Sequence, residues 1–284
     1  MVKHIDKAYY QLAAMLDAGL PILRTLNTLA QSYRGRLHKI FSFLENQVAQ
    51  GSQLNEAMAQ KRSVFPPFDI TMVAAAEESG NLPDTFKMLA DWYELQLKIR
   101  RRLIGGFAFP VLIFHIAVFV GQLPAMFAGG MSFDQYLWIC FTTLILFWGV
   151  IIGLILLVKK MPKQGTLRLL FDSALMLIPL LRKPLYHLSI SRFCRSFYML
   201  YSAGVPITNA AELASKNTGN LYVSQLVAGT SKSVYAGQPM HKGLSRRLPV
   251  DLYSLWETGE ESGTLDKTSL HLAKMYEDRA DLGF

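Results

Sequence analysis

The sequence predicts an all-α membrane protein in which two homologous helical bundles, each of about six short helices, flank a pair of transmembrane helices. Three observations carry that expectation. Residues 103–158 contain no Lys or Arg and one acid, Asp134, while the 29 basic residues fall outside that window, 13 before it and 16 after it. The segments on either side of the window repeat one another. Neither segment shows β-like alternation of useful length, whereas apolar residues recur at helical spacing.

The first bundle is expected over residues 1–102. Met1–Leu20 is interrupted by Asp6, Lys7, Gln11 and Asp17, so it lacks the continuous apolar run of a cleaved signal peptide. Leu12, Met15 and Leu16 give one apolar stripe, and Leu82, Phe86, Leu89 and Tyr93 another. Between helices stand punctuation marks. Gly19 followed by Pro21 reads as a helix stop and restart, the glycine in the left-handed position and the proline early in the next helix, where no N–H is needed. Gly80 ends a helix in the same way, Asn81 is placed to cap the next, and Asp84 lies near the positive end of that helix's dipole. The bundle closes on Lys98, Arg100, Arg101 and Arg102.

The membrane hairpin occupies residues 103–158, with spans at about Leu103–Phe127 and Tyr136–Val158 and a short loop, Ala128–Gln135. The spans hold 25 and 23 residues, where roughly 20 suffice to cross about 30 Å of hydrocarbon. A soluble core helix needs a polar face, and neither stretch has one. Lys98–Arg102 lead into the first span, Lys159, Lys160 and Lys163 follow the second, and the loop carries no positive charge. By the positive-inside rule both bundles are cytoplasmic and the loop faces out. Cys140 lies in a span and Cys194 in a bundle, so no disulfide between them is expected.

The second bundle, residues 159–284, is the first one rewritten. At a shift of 183, Glu77-Glu78-Ser79-Gly80 returns as Glu260-Glu261-Ser262-Gly263, and eleven of the thirty positions 65–94 are identical to their counterparts. Ala18-Gly19-Leu20-Pro21-Ile22 matches Ala203-Gly204-Val205-Pro206-Ile207 at a shift of 185, and Gly51 matches Gly237 at 186. The small changes of shift place insertions and deletions in loops, which tolerate them. Thr264 takes the capping place of Asn81.

These residues resemble the type II secretion system F-domain family, the inner-membrane platform proteins of type II secretion, type IV pilus and competence systems. The resemblance rests on the paired Gly-x-Pro corner (Gly19, Pro21; Gly204, Pro206) and on the paired segments Ala76–Leu82 and Gly259–Leu265 around Gly80 and Gly263. It also draws on Ile178-Pro179-Leu180-Leu181 with Arg192-Phe193, and on Phe109-Pro110 near the start of the first span. The family usually continues through a third span after the second bundle and often has an N-terminal extension. This sequence starts its first helix almost at Met1, stops at Phe284, and carries Arg182-Lys183 where a glycine is common.

Catalytic signals are poor. There is no G-x-x-x-x-G-K-[ST] phosphate loop, Gly105-Gly106 lead into a span, and the six histidines show no H-x-x-x-H pairing. His115, inside the first span, is either a functional group or a neutral hydrogen-bonding tie to the neighbouring helix, and the second reading is preferred. The pairs Glu77-Glu78 and Glu260-Glu261 sit where a helix C-terminus disfavours negative charge by about 0.3–1 kcal/mol, which asks for a compensating partner. Foremost, these residues are solvated, or one of each pair bridges to a basic side chain within its own bundle; docking of a basic partner protein and binding of a divalent metal are the other readings. The net charge of +8 divides as +3, −1 and +6 over the three regions and reads as topology and anionic-lipid contact, with no nucleic-acid partner.

What the resemblance implies is a non-enzymatic scaffold without cofactors. Its bundles would meet a hexameric secretion ATPase and other inner-membrane assembly proteins. Its spans would help draw pilin or pseudopilin subunits from the bilayer, and the repeated bundle invites a homo-oligomer. The competing expectation is a small transporter or membrane enzyme, but transporters duplicate the spans around a midplane site, and here the soluble bundle is what is duplicated.

Overall fold

A computed structural model describes residues 4–160, 165–176 and 179–281. Lys163 and Ile178 lie outside the described residues. Every regular element among them is helical, and the chain divides into two compact units, one over Met1–Gln96 with Asp172–Gly283 and one over Leu97–Phe171.

In the first unit the leading copy of the bundle is α1 (Ile5–Asp17), α2 (Ile22–Ser32), α3 (Arg36–Ala49), α4 (Leu54–Ala59), α5 (Pro67–Ser79) and the beginning of α6 (Leu82–Gly121). The buried positions show why these are helices. In α1 they are Ile5, Ala8, Tyr9, Leu12 and Ala13, and in α3 Leu37, Ile40, Phe41 and Leu44, a three-and-four spacing that places one face inward. Met15 and Leu16 only flank this face, half-buried, so the core stripe of α1 lies one turn earlier than their spacing with Leu12 implied. Phe86, Leu89 and Tyr93 of α6 are buried as expected, and Leu82 packs against the core half-buried.

The trailing copy consists of α10 (Pro179–Ser202), α11 (Ile207–Lys216), α12 (Leu221–Val227), α13 (Gly229–Tyr235), a 3-10 turn (Met240–Gly243), α14 (Val250–Glu261) and α15 (Leu265–Asp281). A helix α9 (Thr166–Leu175) precedes it. One difference between the copies has a clear cause. The single helix α3 is replaced by two, α12 and α13, because the Ser245 amide donates to the Leu226 carbonyl at 3.0 Å and the Thr230 hydroxyl to that of Val227 at 2.7 Å. Foreign donors inserted into the helical ladder interrupt it. A second difference follows from length: three residues fewer separate Met240 from Pro249 than Leu54 from Pro66, and α4 shrinks to the 3-10 turn.

The second unit holds most of α6, with α7 (Leu123–Phe127) and α8 (Phe133–Lys160). Two stretches, Leu82–Phe127 and Phe133–Leu157, are long and apolar enough to cross a membrane, and the most apolar window of the first has 0% of its residues buried. Ile104, Phe109, Leu112, Ile145, Leu146 and Trp138 all stand exposed, the pattern of helices whose solvent is lipid. Pro110 is carried inside α6, and Pro124 falls in the first turn of α7, where its missing N–H costs nothing. The hairpin is tied by a Phe114–Phe147 stack with ring centroids 4.1 Å apart and by a hydrogen bond from the Tyr136 hydroxyl to the Phe119 carbonyl at 3.1 Å.

Candidate functional site: the repeated helix corners

The Gly-x-Pro corners close by the same hydrogen bonds in both copies. Gly19 has φ +81° and Gly204 φ +90°. The amides of Gly19 and Leu20 donate to Leu16 and Met15 at 2.9 and 3.0 Å, and those of Gly204 and Val205 to Tyr201 and Leu200 at 3.1 and 3.0 Å. This paired closure needs a left-handed residue at the glycine position. Pro21 and Pro206 stand just before the first residues of α2 and α11 and give their carbonyls to the first helical bonds, from Thr25 and Ala210.

At the second corner Gly80 and Gly263 take φ +72° and +68°. The next amides, Asn81 and Thr264, both donate to the carbonyl five residues back, at Ala76 and Gly259, at 2.9 Å. The carbonyls of Asn81 and Thr264 accept the first bonds of α6 and α15. The Thr264 hydroxyl pairs with that of Ser262 at 2.7 Å.

The acidic pairs divide their labour. In the last turn of α5, Glu77 accepts from the backbone amides of Leu54 and Asn55 at 2.6 and 2.8 Å, one on each oxygen. In the last turn of α14, Glu260 accepts from the amides of Met240 and His241 at 2.5 and 3.0 Å. Leu54 and Met240 are the first residues of α4 and the 3-10 turn, and they are equivalent at the shift of 186 that relates Gly51 to Gly237. Each carboxylate, disfavoured by its own helix terminus, thus meets the positive terminus of another. Glu78 and Glu261 are exposed. In the second copy His241 is buried beside this cap, its Nδ1 2.8 Å from Glu260 and its Nε2 3.4 Å from Glu257. Among the described residues no group of three or more His, Cys, Asp and Glu side chains is arranged to hold a metal ion.

Sequence reasoning missed a second pair of acids at the other end of the same helices. Asp69, in the first turn of α5, is 1% exposed and accepts on Oδ2 from the hydroxyls of Tyr9 (2.7 Å) and Tyr93 (2.8 Å), tying α1 and α6 together. Burial pushes its carboxyl up to about 7, against the pull of the two hydroxyls. In α14, Asp251 accepts from Tyr276, the counterpart of Tyr93, at 2.7 Å and from Arg279 at 2.5 Å. Its partial burial would raise it, but Tyr276 and Arg279 hold it below the ordinary carboxylate value. An acid soon after Pro66 and after Pro249 was the available signal; the two stand one residue out of register, so the identity count did not pair them. Tyr9 itself has become Cys194, a buried free thiol that burial raises well above its usual value.

Lys98, Arg100, Arg101 and Arg102 are all exposed on α6, and Lys159 and Lys160 end α8. Inside the hairpin His115 is satisfied on both sides: Nδ1 lies 2.7 Å from the Val111 carbonyl, and Nε2 accepts from Trp148 Nε1 at 3.2 Å.

A twice-written helical bundle with repeated corners, interrupted in sequence by two apolar helices of membrane-crossing length, defines a class of all-α membrane-associated protein. The family model of type II secretion system (T2SS) protein F matches residues 8–128 and 193–283, and this chain belongs to that family. Residues 8 and 193 are themselves equivalent at the shift of 185. The chain is 26% identical over 277 residues to the type II secretion system protein F of Vibrio cholerae serotype O1, covering 90% of this chain and 68% of the relative. It is 22% identical over 305 residues to the type IV pilus assembly protein PilC of Pseudomonas aeruginosa, covering 99% and 81%. The PilC of Thermus thermophilus is 26% identical over 294 residues, covering 95% and 72%.

Proposed function

We propose that this chain is a non-enzymatic platform protein of a bacterial inner membrane, serving a type II secretion or type IV pilus-like machine. Its two bundles face the cytoplasm and meet a hexameric secretion ATPase together with other assembly proteins of the membrane. Its spans guide pilin or pseudopilin subunits from the bilayer into a growing filament, and copies of the chain pair in the working assembly. Lys98–Arg102 and Lys159–Lys163 rest on anionic lipid, and the exposed Glu78 and Glu261 are the corner acids open to a basic partner. The observation that carries this reading, beside family membership, is α6. It starts at the capped corner of Ser79–Asn81 and runs through the basic flank into the apolar stretch as one helix of 40 residues, about 60 Å at 1.5 Å per residue. Such a helix joins the bundle to the apolar stretch with no intervening loop.

The test is genetic and biochemical. Deleting the protein while leaving the ATPase intact should abolish filament assembly, and restoring it in trans should bring filaments back. Normal filaments in the deletion strain would sink the proposal, and turnover of a solute gradient by purified protein in vesicles would favour a transporter.

A further inference from the structure

One end of the second bundle gathers exposed positive charge. Arg182 and Lys183 are exposed near the start of α10. One turn on, the Tyr186 hydroxyl donates to the Arg247 carbonyl at 3.1 Å, which brings the exposed Arg246 and Arg247 to the same place. Burial and the neighbouring Tyr222 push the Tyr186 phenol up to about 12, while Arg182 pulls the other way, so that guanidinium also lies close by. Three residues past Arg247, Val250 opens α14 with 82% of its surface exposed. The adjacent acid, Asp251, is engaged by Tyr276 and Arg279; Asp278 and Asp281 are the other acids at this end of α15.

In the first copy the positions of Arg246 and Arg247 are Ser63 and Val64, directly before the equivalent core residues Phe65 and Leu248 and the equivalent prolines Pro66 and Pro249. The first copy carries its own basic pair, Lys61-Arg62, directly before these positions, in a connection three residues longer. The same register makes Tyr276 the counterpart of Tyr93 and Asp281 that of Lys98. The charged end of the second copy thus corresponds to the end from which the first copy's own chain passes, through Lys98–Arg102, into an apolar span.

We propose that Arg182, Lys183, Arg246 and Arg247 form a docking surface for anionic phospholipid headgroups, with Val250 entering the interface between them. Exposed cations and a bare aliphatic side chain, at the end that in the first copy leads into an apolar span, make the chemistry of a membrane surface contact, in which charge draws the segment to anionic lipid and an apolar residue anchors it. The inference rests on the reading of α6–α8 as membrane spans, and adds to it a contact made by the second bundle.

The full chain, with Val250→Cys carrying an environment-sensitive fluorophore, is placed in nanodiscs of phosphatidylcholine alone or with one third phosphatidylglycerol. Cys140 and Cys194 are both buried, and unsubstituted protein controls for their labelling. Quenching by aqueous iodide should be several-fold weaker in the anionic discs, and the protection should vanish at high salt. Arg246→Glu with Arg247→Glu should cut the lipid preference by at least about fivefold, and Arg182→Glu with Lys183→Glu should act alike. Thermal unfolding unchanged by these surface variants confirms that they are folded. Equal quenching in both discs, or protection indifferent to charge reversal, overturns the proposal. Protection that arises only on adding the soluble ATPase overturns it in favour of an acidic protein face. A chain that stays out of the discs overturns the spans instead, and the surface is then read by cosedimentation with vesicles of the same two compositions.

Discussion

Glu77 and Glu260, equivalent residues 183 positions apart, each hold two consecutive backbone amides at the start of a short helix, one on either carboxylate oxygen. Hydrogen bonds to a charged group are worth about 1.5–3 kcal/mol. Glu77→Ala and Glu260→Ala should therefore each cost about 2–3 kcal/mol, while Glu78→Ala and Glu261→Ala, being exposed, should stay within about 0.5 kcal/mol. Chemical unfolding in detergent, followed by tryptophan fluorescence, reads both. A partner-docking role at this corner predicts the reverse ranking in a filament assay: loss of assembly in the Glu78 and Glu261 variants, with stability intact.

Asp69 and Asp251 predict opposite responses to pH. An unfolded aspartate titrates near about 3.9, and Asp69 in the fold titrates near about 7. Between those values the native state keeps a proton that the unfolded chain has released. The stability from this group is thus complete below pH of about 3.9 and is lost as pH rises through about 7, by up to about 4 kcal/mol. Asp69→Asn removes that loss, so its stability relative to the unsubstituted protein should climb between about pH 4.5 and pH 8. A constant difference across that range would refute the assignment. Asp251, held below its ordinary value, behaves in the other sense: its contribution is present above the unfolded value and lost as pH falls through the folded one. Asp251→Asn should therefore cost stability at neutral pH and little in strong acid.

The contrast between these acids also marks what could be read in the sequence. The hairpin and the duplication were legible because they depend on long stretches: 56 residues, 103–158, with Asp134 as their one acidic or basic side chain apart from histidine, and identities that recur at nearly constant shift. The corners were legible because only glycine takes φ near +70 to +90° without strain, so Gly19, Gly80, Gly204 and Gly263 announce themselves. The capping role of Glu77 was not, since its partners are amides 22 and 23 residues away that carry no side-chain signature. Asp69 was hidden for a different reason. A polar residue in a first helical turn looks like a solvated one until Tyr9 and Tyr93 fold over it. The division of the third helix in the second copy was equally hidden, because it depends on where the Ser245 amide lands.

His115 and Trp148 should act as one interhelical tie. With its Nδ1 proton given to Val111 and its Nε2 accepting from Trp148, His115 is a neutral ring whose two nitrogens are both satisfied. Such bonds between spans average about 0.6 kcal/mol and reach about 1.7. In a double-mutant cycle, Trp148→Phe and His115→Ala should show coupling of that size in detergent unfolding. Additive losses would mean the contact contributes nothing. Histidine nitrogen NMR should report the Nδ1-protonated neutral ring.

The second copy is packed tightly at two glycine contacts, Gly229 against Gly243 and Gly259 against Thr268. A Cβ at Gly243 would lie 2.2 Å from the Gly229 carbonyl oxygen, and one at Gly229 would lie 2.3 Å from that of Gly243. Both obstacles are backbone, so neither can rotate away. The 3-10 turn and α13 would have to part, and with them the Met240 and His241 amides that Glu260 holds. Gly259 differs in kind: its added Cβ would meet the Thr268 side chain, with Oγ1 at 2.5 Å and Cβ at 2.7 Å. Its counterpart in the first copy is already alanine, Ala76, opposite Thr85, so the same pair of helices tolerates a methyl group there once their spacing is set for it. Overpacking costs about 1–3 kcal/mol, occasionally more. Gly243→Ala and Gly229→Ala should reach or exceed the upper end of that range, and Gly259→Ala should fall at the lower end. Pairing Gly259→Ala with Thr268→Ser, which removes Cγ2 at 2.9 Å, should recover part of the loss. Thermal unfolding of the four variants gives the ranking, and a Gly259→Ala change more damaging than either backbone contact would contradict it.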